Sequence, residues 1–455
     1  MHIGRTLGRP RRYAAIGAAL VLSIAAASCG SDDDTKSTTA PTAAVTTSAA
    51  TATTAATETT EGTETTTGSE STVAGTESSS ASTADTTDST TEASTDTSTG
   101  DTGGAAAGDV EGCGPESATP IDDISAERTP ARCDAGAPAP QPLAEKYTVR
   151  FSTAFKAEFV APILLGISEG EFAKENIDVD VQTLGFSDAV PLMAAGDIDI
   201  AVGGTEAALF NAIDSDIDIK WALANFSPPS AGDASIPQTG LWVRRDAFSD
   251  PDKPDLAELK GKTLASAVGN GSSIAYPIEA ALEDAGLTLN DVTVQQIPST
   301  DMVQALENNA VQAAWLLDPY WITASQNPDF VLVATQPPAE PIGGLYFGPE
   351  FLKDHRDAAL AFVRAYIRTV NTYLSGDYQT NADVMDALSK ATDTPVENLD
   401  ATPALTFDWE IRGGTTDRMQ AVFIKLGSVG YSDPIPEDQV VDRSLYLEAV
   451  GQAAG

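Results

Sequence analysis

One glycine-rich turn has the residue types and spacing of a site that binds polar groups. Gly269, Asn270, Gly271, Ser272 and Ser273 follow an apolar run and open a helical pattern. Free backbone N–H groups and the positive end of the helix dipole can receive a polar or anionic group at such a position. An ordinary glycine turn with a serine cap explains the same residues without any ligand.

Gly203, Gly204, Thr205 and Glu206 form a second turn of this kind, between another apolar run and another helical pattern. We interpret Thr205 as the cap of the following helix and Glu206 as a complement to the helix dipole. Gly204 and Thr205 are also candidate ligand contacts, because this turn lies between a predicted strand and a predicted helix, as the first turn does.

Charged and aromatic residues follow the first predicted strand. Lys156 can meet an acidic group, Glu158 can receive an amine, and Phe155 can stack on a ring. A solvated lysine and glutamate beside one core phenylalanine is the alternative. Phe226 and Tyr346 are further candidates, since each lies near an extended segment between the predicted lobes.

The richest aromatic stretch in the chain runs from Trp315 to Trp321 and ends a predicted strand. Aromatic rings near a fixed carboxylate suit a flat or cationic ligand. Asp318, Tyr320 and Trp321 are therefore the candidates in this stretch, whereas Trp315 is equally well explained as a core residue.

Catalytic chemistry has few candidates in this sequence. The chain has two histidines, His2 and His355, so a histidine-based triad would have to use His355. It contains no GxSxG elbow, HExxH helix or Walker lysine loop. We predict that the protein is not an enzyme and binds no metal and no cofactor.

The elements that must position these residues alternate between short strands and helices, which predicts an α/β fold with mostly parallel sheets. The predicted strands are 147–152, 177–183, 198–202, 219–223, 240–244, 263–267, 292–297 and 313–317. The predicted helices are 162–175, 188–195, 205–214, 272–285, 302–308, 358–374, 382–391 and 417–426. Two such units joined by extended segments form a cleft, and open sheets bind ligands beyond the carboxyl ends of their strands.

Three stretches carry a family resemblance. They are 161–179, the run Leu192 to Gly204, and Leu259 to Ala265. In order and spacing they resemble substrate-binding proteins of importers for nitrate, sulfonate, taurine and thiamine precursors, over about Thr148 to Pro349. The resemblance implies a type II periplasmic-binding fold, whose two lobes close on a small molecule and present it to a membrane permease. It also implies ligand contacts at 155–159 and favours them at 269–273.

Two enzyme classes share this fold. Relatives that make the thiamine pyrimidine sacrifice a histidine beside a cysteine-rich motif, and the domain from Tyr147 onward has no cysteine. A chorismate-dehydratase-like lyase needs few special residues, but an exported chain is the wrong place for it. Neither activity is expected here.

The sequence of the N-terminal third predicts that the protein is exported and tethered to the membrane. Four arginines, the apolar run Ala14 to Ala27 and the sequence Ala27-Ser28-Cys29 resemble a lipoprotein signal peptide, 1–28, with lipid carried on Cys29. Between Ser31 and Gly112 there are 15 acidic residues against one lysine, and such a segment cannot bury enough apolar surface to fold. We predict a disordered tether over 29–146, with a Cys113–Cys133 disulfide near its end.

The remaining residues predict two lobes, 147–240 with 345–455 and 241–344. The formal net charge of the chain is −40, which argues against nucleic acid and against adhesion to anionic lipid headgroups. The sequence therefore predicts a monomeric, lipid-anchored, extracytoplasmic solute-binding protein of an ABC importer. Its expected ligand is a sulfonate, a vitamin precursor or an amine-bearing compound. A surface lipoprotein that senses a ligand for a signalling receptor is the alternative.

Overall fold

The computed structural model describes residues 108–228 and 231–453. All of them fall in the compact unit Thr95–Gly455, and the unit Met1–Ser94 lies outside them. The predicted signal peptide, the lipidation site Cys29 and the tether up to residue 107 therefore lie outside the described residues.

The folded chain alternates strands and helices, as the sequence predicts. Its strands are β1 (Tyr147–Thr153), β2 (Ile177–Thr183), β3 (Ile200–Gly204), β4 (Lys220–Ala224), β5 (Phe226–Ser227), β6 (Gly240–Arg244), β7 (Thr263–Ser266), β8 (Thr293–Gln296), β9 (Ala313–Leu316), β10 (Phe330–Ala334), β11 (Gly343–Phe347) and β12 (Thr406–Phe407). Its α-helices are α1 (Ala161–Ser168), α2 (Phe186–Ala194), α3 (Ala207–Asp214), α4 (Ala275–Asp284), α5 (Ser299–Glu307), α6 (Tyr320–Ser325), α7 (Pro349–Asp354), α8 (Arg356–Tyr373), α9 (Ala382–Thr392), α10 (Val396–Leu399), α11 (Thr415–Leu426), α12 (Glu437–Val440) and α13 (Ser444–Ala449).

Two five-stranded sheets organise these elements. The first has the order β2-β1-β3-β11-β4, and the second has the order β10-β6-β9-β7-β8. Pairing is parallel for β1 with β2 and β3, and for β7 with β8 and β9, whereas β11 and β6 run antiparallel to their neighbours. We refer to each sheet with the helices packed on it as the first and the second lobe.

The chain passes between the lobes more than once. Residues 225–239 lead from β4 to β6, and residues 335–342 lead from β10 back to β11. Between the lobes, β5 pairs antiparallel with β12 in a separate two-stranded sheet. The predicted lobe limits remain a prediction; the strands of the two sheets agree with them except that β6 begins at Gly240 and β11 at Gly343.

The N-terminal segment, residues 108–146, corrects the sequence analysis. It was assigned to the disordered tether, but Ser117 and Ala131 are fully buried. The Thr119 N–H donates to Glu410 at 2.7 Å, and the Cys133 N–H donates to the Asn371 side chain at 3.1 Å. Because this segment lacks aromatic residues, its composition does not predict that it folds. Polar side chains from distant parts of the chain form hydrogen bonds with its backbone.

The structure joins Cys113 and Cys133 in a disulfide. The cysteines close a loop within the N-terminal segment, and this loop lies on β12 and the chain that follows it. Arg132 donates to the Phe407 carbonyl at 2.8 Å, and the Gly413 N–H donates to the Ile121 carbonyl at 2.8 Å.

One predicted helix is wrong in length. The range 162–175 contains α1, which ends at Ser168, followed by a separate short turn at Ala173–Glu175. Gly170 adopts a positive φ of 74°, and the Glu171 N–H donates to the Gly166 carbonyl at 2.7 Å. A glycine of this conformation ends a helix because L-residues rarely adopt it.

Candidate ligand-binding cleft

The two predicted glycine turns face each other across the cleft between the lobes. The Ala207 N–H, at the start of α3, donates to the Gly271 carbonyl of the second lobe at 2.8 Å. A Cβ atom on Gly204 would lie 2.1 Å from Ser273 Oγ. The carboxyl ends of β3 and β7 thus meet where open sheets commonly bind ligands.

The loop of the second lobe leaves several polar groups available. Ser272 Oγ donates to the Gly269 carbonyl at 2.9 Å, so this serine shapes the turn and does not cap α4, which begins at Ala275 without a side-chain cap. Ser273 is 7% exposed, and its hydroxyl has no hydrogen-bond partner in the described chain. The N–H groups of residues 271–273 also lack an acceptor there, and Asn270 is exposed.

Thr205 and Tyr346 lie beneath the cleft. Their hydroxyl oxygens are 2.6 Å apart, and both residues are fully buried. The interpretation of Thr205 as a helix cap is wrong, because Glu206 is the N-cap residue of α3 and no side chain caps it. Burial raises the pKa of Tyr346, whose ring packs 4.4 Å from that of Phe186. This buried pair therefore holds the first-lobe glycine turn, residues 203–206, in place.

Glu158 lies at the carboxyl end of β1, in the short turn Glu158–Val160. Its Oε1 accepts hydrogen bonds from the Tyr378 hydroxyl at 2.7 Å and from Gln379 at 3.5 Å. Burial, together with the negative charge of Asp318, raises the pKa of Glu158 to about 7.

Asp318 follows β9 and belongs to the second lobe. Its carboxylate accepts hydrogen bonds from the Trp321 indole N–H and from the Thr239 hydroxyl, the latter at 3.1 Å. The residue as a whole is exposed, but surrounding atoms desolvate its carboxylate and raise the pKa of Asp318.

Aromatic rings line the first-lobe side of this region. Phe155 is 58% exposed, and its ring centroid lies 5.3 Å from that of Phe159 in an edge-to-face arrangement. Phe159 in turn lies 6.4 Å from Phe226. Lys156, next to Phe155, is exposed and forms no ion pair with any described residue.

The aromatic stretch of the second lobe has a mainly supporting role. Trp321 is 6% exposed and holds Asp318 by its indole N–H, while Tyr320 is partly buried at the start of α6. Trp315 is a core residue, with 2% exposure.

Sequence reasoning missed three positioning residues. Tyr378 orients Glu158, and Thr239 contacts Asp318. Asn225 donates to the Phe159 carbonyl at 2.7 Å. Asn225 lies two residues after the predicted strand 219–223, so the rule applied to the other strand ends also finds it. No local signal identifies Tyr378, since it reaches the cleft from a distant part of the chain.

Two cavities lie outside this cleft. One of about 290 Å³ is lined by Asp246, Lys262, Asn309 and Gln312, and one of about 140 Å³ lies beside Arg128 and the chain after β5. Asp246 pairs with Arg244, and Lys262 donates to the Ala247 carbonyl at 2.5 Å. The charged groups of the larger cavity are thus already satisfied.

Neither a membrane-crossing helix nor a metal site is found in the part of the chain that the structure describes. None of its helices combines the length and the apolar character that a bilayer requires. Within the same residues, no group of three or more His, Cys, Asp or Glu side chains is placed to hold a metal ion.

Comparison with known proteins agrees with this architecture. Residues 158–375 match the family model described as NMT1/THI5 like. Over these residues the chain resembles an NMT1/THI5-like domain. This domain includes both glycine turns, Glu158 and Asp318, and it confirms the resemblance seen in the sequence. No curated protein matches the chain.

Solved structures resemble the lobes that contain the NMT1/THI5-like domain. The ligand-binding component of an ABC-type import system from Staphylococcus aureus, solved with zinc bound, has 14% identity and a TM-score of 0.50 over 67% of this chain and 99% of its own. The periplasmic sulfonate-binding protein SsuA from Methylobacillus flagellatus has 14% identity and a TM-score of 0.50 over 68% of this chain and 95% of its own. The periplasmic aliphatic sulphonate binding protein SsuA from Escherichia coli has 16% identity and a TM-score of 0.49 over 67% of this chain and 100% of its own.

At these identities the structures establish the fold. The predicted α/β, two-lobed periplasmic-binding fold is confirmed. The prediction that the protein is not an enzyme agrees with the match to the NMT1/THI5-like family model.

Proposed function

We propose that this protein is the solute-binding component of an ABC importer, which captures a small organic molecule when its lobes close. The observation that carries the proposal is the contact between loops of the two lobes, from the Ala207 N–H to the Gly271 carbonyl at 2.8 Å. This hydrogen bond requires the lobes to approach each other at the edge where their parallel strands end.

The polar groups around this contact support a ligand-dependent closure. Ser273 presents an unpaired hydroxyl towards Gly204, and the candidate contacts Glu158 and Asp318 belong to opposite lobes. A solute that touches both lobes binds the closed form more tightly than the open form. It therefore shifts the population towards closure.

The cellular setting of the proposal comes from the sequence and from the neighbours. We infer that a signal peptide directs export, that Cys29 carries lipid, and that the acidic tether holds a monomer at the extracytoplasmic face of the membrane. Neighbours of the same fold are described as an importer component and as sulfonate-binding proteins. Delivery to a membrane permease follows from the same proposal.

A solute screen tests the proposed function. Sulfonates, vitamin precursors, pyrimidines and amines are added to the purified protein, and a ligand that binds only the folded state raises its melting temperature. Small-angle X-ray scattering of each positive sample should then show a smaller radius of gyration than the free protein. Binding without compaction, or conversion of the bound solute into a product, contradicts the proposal.

A further inference from the structure

Asn270 lies in the glycine loop of the second lobe and is followed by Gly271, and the sequence contains no other asparagine–glycine pair. Asn270 is exposed, and its side-chain amide forms no hydrogen bond with any described residue. The Gly271 N–H has no acceptor in the described chain either, and glycine has no Cβ atom to shield its nitrogen. An exposed side-chain amide is therefore next to an unbonded backbone nitrogen.

The other exposed asparagines of the described chain lack this combination. For four of them the following N–H donates to a backbone carbonyl, at 2.9 Å after Asn290, 3.0 Å after Asn308, 2.9 Å after Asn309 and 3.2 Å after Asn398. The fifth, Asn381, accepts hydrogen bonds from the N–H groups of Asp383 and Val384 through its side-chain oxygen, at 3.1 and 3.4 Å. Among the described residues, only Asn270 is an exposed asparagine with both groups unbonded.

These two groups are the reactants of a deamidation. When a base in the solvent removes the Gly271 amide proton, the nitrogen attacks Cγ of Asn270. The N–Cγ bond forms, the Cγ–Nδ2 bond breaks, and Nδ2 leaves as ammonia with a proton from water. Water then opens the cyclic imide. Opening at Cγ gives aspartate, and opening at the backbone carbonyl carbon gives isoaspartate, in which the main chain runs through the former side chain.

The reaction takes place beside a contact between the lobes. The Gly271 carbonyl accepts a hydrogen bond from the Ala207 N–H of the first lobe at 2.8 Å. Isoaspartate lengthens the main chain by a methylene group immediately before Gly271 and thereby displaces this carbonyl. Modification of Asn270 therefore acts on the contact between the two glycine loops.

We propose that Asn270 is a site of spontaneous deamidation, with water as co-reactant, and that its conversion to isoaspartate removes the hydrogen bond between Ala207 and Gly271. Converted molecules keep their fold, because Asn270 belongs to none of the hydrophobic clusters of the described chain. The effect on solute capture rests on the proposed function, whereas the reaction itself does not. Closure is thus impaired as the molecule ages.

Peptide mass mapping after incubation of the purified protein at pH 8 tests the reaction. The peptide that contains Asn270 should change from amide to acid and separate into aspartate and isoaspartate forms. Peptides that contain Asn308 and Asn398 should remain amides over the same period. Conversion should be faster at pH 9 than at pH 6, because the attack needs a deprotonated nitrogen. Conversion of Asn270 no faster than that of Asn308 overturns the proposal.

The same measurement in urea separates the effect of structure from that of sequence. Unfolding breaks the backbone hydrogen bonds that follow Asn308 and Asn398, so both should react faster in urea than in the folded protein. Folding should slow Asn270 much less, since neither of its reacting groups is bonded in the fold. If folding slows Asn270 as strongly as Asn308, the loop protects it and the inference is wrong.

Gly271→Ala is the matched variant. The φ angle of Gly271 is not positive, and a methyl group there would lie 3.8 Å from Ala207 Cβ, so the loop accepts alanine. The added Cβ shields the nitrogen and restricts the backbone rotation that the attack requires. Asn270 should therefore react more slowly in this variant, at an unchanged melting temperature. A rate equal to that of the wild type contradicts the proposed reaction.

Hydrogen exchange at the Ala207 amide tests the consequence for the lobes. In protein that has formed isoaspartate, this exchange should be about fivefold faster than in fresh protein, as expected for the loss of one hydrogen bond. Asn270→Asp adds the charge without lengthening the chain and should leave the exchange unchanged. Unchanged exchange in the converted protein, or faster exchange in Asn270→Asp, overturns the proposed loss of contact through isoaspartate.

The inference and the proposed function fail separately. If Asn270 deamidates and no solute compacts the protein in scattering, the modification site stands and the proposed function fails. If solutes compact the protein and Asn270 stays an amide, the proposed function stands and the modification site is excluded.

Discussion

Glu158 shows how neighbouring atoms determine the protonation of one residue. Burial is the largest influence on its pKa and favours the neutral form, and the charge of Asp318 acts in the same direction. Hydrogen bonds from Tyr378, Gln379 and Thr402 oppose this effect because they stabilise the carboxylate. The result is a carboxyl group with a pKa of about 7, compared with an ordinary value of 4.5.

The raised pKa predicts a pH dependence of stability without ligand. Between pH 4.5 and 7 the unfolded chain has released the Glu158 proton while the folded chain still holds it, so the contribution of Glu158 to stability falls as pH rises. Glu158→Gln has no proton to lose and should gain at least about 2 °C over the wild type at pH 8. The difference should shrink towards pH 5, as measured by differential scanning fluorimetry.

A second variant tests the cause of this effect. Tyr378→Phe removes the hydroxyl that stabilises the Glu158 carboxylate, so the decline in stability should extend above pH 7. A difference between Glu158→Gln and the wild type that stays constant from pH 5 to pH 8 would show that Glu158 does not titrate in this range.

Two glycine-containing loops, residues 203–206 of the first lobe and 269–273 of the second, contact each other in the closed form. The space around their glycines differs. A methyl group on Gly204 would lie 2.1 Å from Ser273 Oγ and 3.0 Å from Ser273 Cβ. A methyl group on Gly271 would lie 3.8 Å from Ala207 Cβ, which is an ordinary contact. The first loop therefore tolerates no side chain in the closed form, whereas the second does.

Gly204→Ala should impair closure, because the added methyl group keeps the loops apart. Steric overlap of this kind costs about 1–3 kcal/mol, so solute affinity should fall by about tenfold or more. Scattering should show less compaction on binding. Gly271→Ala should behave like the wild type, and Ser273→Gly should restore closure in the Gly204→Ala background. Equal affinity of Gly204→Ala and the wild type would mean that ligand binding does not require this contact.

Local apolar patterns predict the limits of several elements well. Strands β1, β2 and β6, and helices α8, α9 and α11, lie within two residues of the predicted limits. Short elements such as β5 and β12 have no pattern, because their pairing is decided by contacts across the chain. The same reason explains which site residues the sequence predicts. Glu158 and Asp318 are predicted because they follow strands, whereas Tyr378 is brought to the site only by the tertiary fold.

At the scale of the whole molecule, the N-terminal segment, residues 108–146, is joined to the fold by buried ion pairs. Arg128 forms ion pairs with Asp408 and Glu410, just after β12, and the three side chains are at most 2% exposed. Because β12 pairs with β5 between the lobes, this segment is fixed to the chain that crosses the cleft. Composition alone treats it as part of the tether, yet it is an integral part of the fold.

Arg128→Met should destabilise the protein strongly, because it leaves Asp408 buried without its cation. Breaking a buried pair in this way costs about 3–5 kcal/mol, which urea unfolding measures directly. Lys146→Met removes an exposed pair with Asp178, in which the side chains are 58% and 53% exposed, and should cost about 0–1 kcal/mol. Glu410 keeps Arg412 at 2.7 Å in the Arg128 variant, so the loss is specific to Asp408. Equal unfolding free energies for Arg128→Met and Lys146→Met would show that the N-terminal segment does not unfold cooperatively with the rest of the protein. The segment would then belong to the tether, as the sequence predicts.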